Sequence, residues 1–345
     1  MSVKELVGRW EDQAHGTLTK DTYTVNLAVE DAAKIDALSE MYPKRSKEQL
    51  ISELNYLTSH TDKPYNLNFF CHTTPNYSKQ QQMDWHQLLA PYFAEFNIDA
   101  SGFSTSASRT PIDQSVLEII APYKPPVVSF HFGLPAKEIV SQIKNWGGQV
   151  WSSATTFEEA CFLKENGVDA IIAQGIEAGG HRGHFLSTNI MQQPTTKQLV
   201  KQCVTLDVPI IAAGGISKPE DVTEFKQLGA GAVQIGSAYL LSNEATTNEF
   251  HRAALKKPHQ TVLTTVFSGR PARGIVNRAI TELGSMPSHV PPFPFASIAM
   301  TALRARAEVA GKSDFSPLWC GQHFVVRDGV NASEITQLLM RGWHN

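Results

Sequence analysis

A parallel α/β barrel of the (β/α)8 TIM type is the fold class this sequence predicts, on three observations. First, short apolar runs such as VVSF (127–130), AIIA (170–173) and PIIAA (209–213) lack polar alternation, which marks strands buried on both faces. Second, segments of about ten residues with helical spacing separate these runs, the βαβ rhythm of a parallel sheet. Third, glycines follow the runs directly, at Gly133, Gly175, Gly214, Gly215 and Gly236. In a barrel those strand ends form the active face. An open dinucleotide-binding sheet would instead need G-x-G-x-x-G just after an early strand. The nearest approach, Gly229-Ala230-Gly231, precedes a strand and fits a helix C-cap and a turn.

The elements follow in order. KEQLISELNYLTSH (47–60) places Leu50, Ile51, Leu54 and Leu57 on one helical face. YNLNFF (65–70) is a strand, 83–97 and 115–123 are helical, and PPVVSFHFG (125–133) is the next strand. AKEIVSQIKNW (136–146) returns as a helix. GGQVWSSATT (147–156) is a strand whose Thr155 or Thr156 caps the helix FEEACFLKEN. DAIIAQG (169–175), the helix TKQLVKQCVTL, VPIIAAGGI (208–216), a helix opened by Pro219, and GAVQIGSAYLL (231–241) complete six β/α units from residue 65. Two more strands must come from residues 1–45 or be absent. TYTVNLAV (22–29) alternates with period two, which suits a half-exposed edge strand. Beyond residue 243, NEFHRAALKK, TVLTTVFSG, MPSHVPPFPF and the alanine-rich 296–311 are expected to form a smaller lobe of helices and loops over the barrel mouth. The expected division is 1–40 as an atypical opening segment, 41–243 as the barrel, 244–325 as a lid or substrate lobe, and 326–345 as a C-terminal helix.

Composition narrows the function. With 345 residues, 42% of them apolar and 18% charged, the chain can bury a large core. A net charge of −3 argues against a nucleic-acid binder. No apolar run reaches the roughly 18 residues of a membrane span. The opening MSVKELVGRWEDQ has no apolar signal core, and the four cysteines are scattered without C-x-x-C. A soluble, reduced, cytoplasmic protein is the expectation.

Glycine turns close the last two strands, at Gly214-Gly215 and Gly236-Ser237. Tight turns of this kind can be purely geometric. Two in succession on the final strands fit a phosphate held by backbone N–H groups. The segment AQGIEAGGHRGHF (173–185) adds Gln174 at a strand end, Gly179 and Gly180 for close backbone approach, and His181 on a glycine-flanked loop. Histidine suits proton transfer or anion binding, although a loop histidine is commonly a surface residue. His184 competes with it on spacing, and no third ligand makes a zinc site. His131 ends a buried strand and needs a partner, whether in the core or in a pocket. Asn68 lies at a strand end, where a buried amide needs a ligand or a neighbouring backbone. Glu177 and Arg182 are expected to pair. Ser268-Gly269-Arg270 fits a plain turn or a phosphate contact. There is no G-x-S-x-G and no Walker sequence.

NLNFF, VVSFHFG, SSATTFEEACFLKENGVDAIIAQGIEAGGHRG, PIIAAGGIS, GAVQIGSAYL and FSGRPARGIVNR together resemble the nitronate monooxygenase family, and EAGGHRG with SFHFG its class I branch. The resemblance runs from about residue 40 to 330. It implies an FMN-dependent (β/α)8 barrel that oxidises alkyl nitronates with O2 to a carbonyl compound and nitrite. It also implies that Asn68, Gln174, Gly179, Gly180, Gly214, Gly215, Gly236 and Ser237 contact the flavin. His181 is then the active-site histidine and His131 a second pocket histidine. Two alternatives stay open, an NAD(P)H-dependent flavin reductase of the enoyl-thioester or quinone type and a flavin-free barrel. The family's two opening strands have no counterpart in residues 1–40, and the class I tyrosines and lysine near the proline-rich segment give way to Phe293, Phe295 and Ser297. We therefore expect a more apolar pocket on that side, weaker FMN binding than in a typical relative, and first cleavage between residues 10 and 40 in limited proteolysis.

Overall fold

The computed structural model describes residues 47–107 and 109–344. Numbered from the first described element, the barrel part runs α1 (Lys47–His60), β1 (Asn66–Phe70), α2 (Lys79–Glu95), α3 (Gln114–Ile120), β2 (Val127–His131), α4 (Lys137–Asn145), β3 (Gln149–Ala154), α5 (Phe157–Glu165), β4 (Ala170–Gln174), β5 (Gly180–His181), α6 (Thr196–Cys203), β6 (Ile210–Ala213), α7 (Pro219–Gln227) and β7 (Ala232–Gln234). There follow α8 (Glu249–Leu255), β8 (Thr261–Thr264), β9 (Ala272–Ile275), α9 (Arg278–Leu283), α10 (Ala296–Val309) and α11 (Ala332–His344). Six strands form one curled parallel sheet in the order β1-β2-β3-β4-β6-β7, the expected six units of a TIM-type barrel. The opening segment 1–40 and its TYTVNLAV strand lie outside the described residues.

Strand alternation sorts the side chains. Val127, Trp151, Ala170, Ile172, Ile211, Ala213 and Ala232 pack together as one cluster on the inner face. Val128, Phe130, Val150, Ala154, Ile171, Ala173, Ile210, Ala212 and Val233 point the other way, into a core shared with the helices. Both sets are apolar because a parallel sheet sandwiched between layers has no wet face. Thr156 caps α5 by accepting from Glu159 N at 3.2 Å.

Three expectations need correction. TVLTTVFSG is not helix or loop: Thr261–Thr264 forms β8, antiparallel to β9. Its β-branched residues favour an extended chain. His181 is not on a free loop, because Gly180–His181 pairs with Ala272–Arg273 and joins the same three-stranded sheet. Asn68 is central in β1 rather than at its end, opposite Ser129.

The second core also recruits α2. Trp85, Leu89, Tyr92 and Phe93 pack with Val266, Phe267, Ala299, Leu303 and Phe315. Helix α11 docks on α7 so closely that a Cβ at Gly342 would lie 1.9 Å from the Pro219 carbonyl oxygen.

Candidate active site

The segment after β4 is built around a buried cation. Arg182 is fully buried and donates to Gln193 Oε1 at 2.8 Å, Gly175 O at 2.6 Å and Gln174 O at 2.8 Å. The expected Glu177–Arg182 pair does not form. Glu177 instead accepts from the backbone N and hydroxyl of Thr196, and reaches Arg182 only through its field. A buried carboxylate, Glu159, accepts from Thr155 N, the Thr155 hydroxyl, Phe185 N and Leu186 N. It ties the far end of the segment to α5. Gln174 closes the middle, with Nε2 donating to His181 O at 3.0 Å and Oε1 accepting from Gly183 N at 2.8 Å. One Nε2 proton of that amide is left for another acceptor.

These clamps fix the histidines. A carbonyl only accepts, so His131 Nε2–H donates to His181 O at 3.2 Å, and Nδ1 of the neutral ring accepts from the Ser153 hydroxyl at 3.0 Å. His181 Nε2 meets Ser268 Oγ at 2.9 Å. Ser268 has one hydroxyl proton, and Arg270 O lies 3.2 Å from Oγ. With that proton on Arg270 O, His181 donates through Nε2–H and carries its lone pair on Nδ1. Phe70, Phe132, Phe293 and Trp319 surround the His181 ring at centroid distances of 5.5–6.3 Å. The apolar side expected from Phe293 is thus at the histidine itself, while Phe295 stacks on Tyr77.

Burial, then the charges of Arg109, His131 and Arg270, hold the His181 pKa well below its usual value. Burial likewise brings His131 down to about 3 and His184 and His72 to about 4. The unfolded chain protonates these rings near pH 6.5, and the folded chain only near 3 to 4. Between those limits the unfolded state holds more protons. Stability is therefore complete above about pH 6.5 and falls as the pH drops through that window. Urea melts should give a lower midpoint at pH 5 than at pH 7. Equal midpoints would mean that these rings are protonated in the fold.

The glycines divide. A Cβ at Gly236 or Gly180 meets nothing within 4 Å, so both face open space. At Gly179 it would lie 2.6 Å from Gly321 N, and at Gly214 2.9 Å from Ala178 N, so there glycine permits close backbone packing. Gly214 and Gly215 have φ of +113° and +73°, which glycine adopts without strain. Ser237 Oγ accepts from Gly321 N at 2.8 Å. Asn68 faces inward but is exposed, its Oδ1 accepting from the Ser129 hydroxyl at 2.9 Å. The sequence reading missed Glu159, Gln193, the His181 partner Ser268 and the segment around Gly321. Only Ser268, singled out as a turn residue, had given a signal.

The family model for nitronate monooxygenase matches residues 28–342, a wider span than the expected 40–330. A nitronate monooxygenase of Pseudomonas aeruginosa is 36% identical over 298 residues, covering 84% of this chain and 84% of its own. One of Paraburkholderia phytofirmans is 35% identical over 290 residues, covering 81% and 78%. A crystal structure of nitroalkane oxidase from Streptomyces ansochromogenes superposes with a TM-score of 0.77 at 30% identity, over 87% of this chain and 86% of that one. FabK from Thermotoga maritima, at 21% identity and a TM-score of 0.65, shares the fold, over 98% and 95% of the two chains. By the family match and these identities, the chain belongs to the nitronate monooxygenase family.

Proposed function

We propose that the protein binds FMN at the C-terminal ends of its strands and oxidises alkyl nitronates with O2 to a carbonyl compound and nitrite. Family membership supports flavin-dependent nitronate oxidation. The observation that carries the reading further is a half-buried, neutral His181 at these strand ends, under the field of Arg109 and Arg270. The two guanidinium groups that disfavour imidazolium favour an anion in the same place, and a nitronate is an anion.

The cofactor fits the residues present. Open space at Gly236 and Gly180, beside the positive-φ turn Gly214-Gly215, gives a phosphate a cradle of backbone N–H groups without steric conflict. Gly179 lets the chain approach closely there, and Ser237 offers a hydroxyl. Asn68, on the inner face of β1, and the remaining N–H of Gln174 would serve the ring system. The chemistry supplied by bound FMN is electron transfer between nitronate and O2.

The guanidinium groups of Arg109 and Arg270 attract the substrate anion to the place beside the His181 ring. With a neutral nitroalkane, the Nδ1 lone pair of that ring removes the α-proton. Ser268 fixes the ring through Nε2, and His131 fixes the backbone through the His181 carbonyl. Residues 244–325 act as the lobe that supplies Ser268, Phe293 and Trp319, and the aromatic rings exclude water around the imidazole. The test is a yellow protein whose extracted flavin is FMN, with O2 uptake and nitrite release on ethyl nitronate. A colourless protein that FMN does not reconstitute would remove this reading. Rapid flavin reduction by NADH would put an NAD(P)H-dependent reductase in its place.

A further inference from the structure

The segment after Trp319 runs as a strap, with turns at 322–323 and 328–329, past the ends of β6 and β7. Its residues alternate between two environments. Gln322, Phe324 and Val326 line a groove together with Lys257 and His259. Gly321, His323 and Arg327 turn towards the barrel. Gly321 N donates to Ser237 Oγ, and Gln322 N donates to Glu177 O at 2.9 Å. The Ser217 hydroxyl donates to His323 O. Arg327 donates through one terminal nitrogen to Ser217 O at 2.6 Å. The strap is therefore fastened by three hydrogen bonds to the turns that follow β6 and β7 and by a fourth to the segment after β4.

Two features of this arrangement point to an anion. The His323 ring lies against the glycine turn, since a Cβ at Gly215 would come within 3.1 Å of its Nδ1. The other terminal nitrogen of Arg327, NH1, is buried and has no hydrogen-bond partner among the described residues. A buried guanidinium donor without an acceptor is costly unless a ligand completes it. Its charge also reaches Tyr239 in the turn after Gly236, where burial raises the phenol pKa and Arg327 pulls against that rise. Arg327 thus stands between the two glycine turns, at Ser217 on one side and Tyr239 on the other.

We propose that His323 and Arg327 are the side-chain face of a seat for a phosphate monoester, supplying from the strap the guanidinium charge and the side-chain donors that the glycine turns lack. Backbone N–H groups alone neutralise no charge, whereas a guanidinium and an imidazole N–H offer directional donors to the phosphate oxygens. This rests on the reading that the FMN phosphate occupies the ends of β6 and β7.

The test compares FMN with riboflavin, which differ by the phosphate alone. Dissociation constants are measured by flavin fluorescence on the full chain after flavin removal, for wild type, His323→Ala and Arg327→Met. His323 is exposed, so its truncation leaves the fold intact. Riboflavin affinity reports whether the Arg327 variant has kept its ring site. The expected result is that wild type prefers FMN strongly. Each variant should weaken FMN by about tenfold or more, and riboflavin by less than about threefold. If both variants keep the wild-type FMN-to-riboflavin ratio, or lose both flavins equally, the strap is only a structural clamp and the proposal fails while the glycine seat stands. If wild type itself does not distinguish the two flavins, the phosphate seat and the strap proposal fall together.

Discussion

His181→Asn is expected to lower turnover of neutral nitroalkanes by about 10²–10⁴-fold, the usual worth of a positioned general base. Turnover of preformed nitronate should fall much less. Asparagine keeps a polar group near Ser268 but has no lone pair able to take the α-proton. The split between the two substrates is the diagnostic, because a merely structural loss would lower both alike. Equal turnover of the neutral substrate by wild type and variant would remove the base role. His184→Asn should be mild by comparison. That ring is buried and likewise neutral, but the aromatic rings converge on His181 instead.

Gly215→Asp should weaken FMN by about 10²–10³-fold. A carboxylate about 4 Å from a phosphate costs on the order of 4 kcal/mol at an intermediate effective dielectric. The position also carries strain, with φ at +73° and the Glu177 Cβ 3.2 Å from the new Cβ. Gly215→Asn separates the two contributions, since it keeps the size and the tolerance of left-handed backbone without the charge. Fluorescence titration of both variants should rank wild type tightest, Asn intermediate and Asp weakest. Unchanged flavin content in Gly215→Asp would remove the phosphate assignment at this turn.

The sequence by itself determined the sheet. Apolar runs without alternation located β2, β4 and β6, and the short strand-like segments between stretches of helical spacing located β1, β3 and β7. That information is local, because a strand buried on both faces must be apolar at every position whatever its neighbours are. His131, Gln174 and His181, which the structure brings together, were legible as polar residues or glycine-flanked groups at or after the ends of such strands.

Tertiary structure alone decided how those positions are held. Nothing local places TVLTTVFSG in one sheet with Gly180–His181, because the two are joined only through β9, which follows the first and lies about 90 residues after the second. The same holds for Ser268 beside His181, for Glu159 beneath Phe185 and Leu186, and for α2 in the second core. Charge pairing was misjudged for a related reason. Glu177 and Arg182 are close in sequence, but a buried guanidinium is satisfied by whichever carbonyls the fold brings to it, here those of Gln174 and Gly175. The depressed histidine pKa values follow the same logic. Composition supplies the imidazoles, but only packing removes their water and sets Arg109 and Arg270 beside them, so the charge state of the site belongs to the fold.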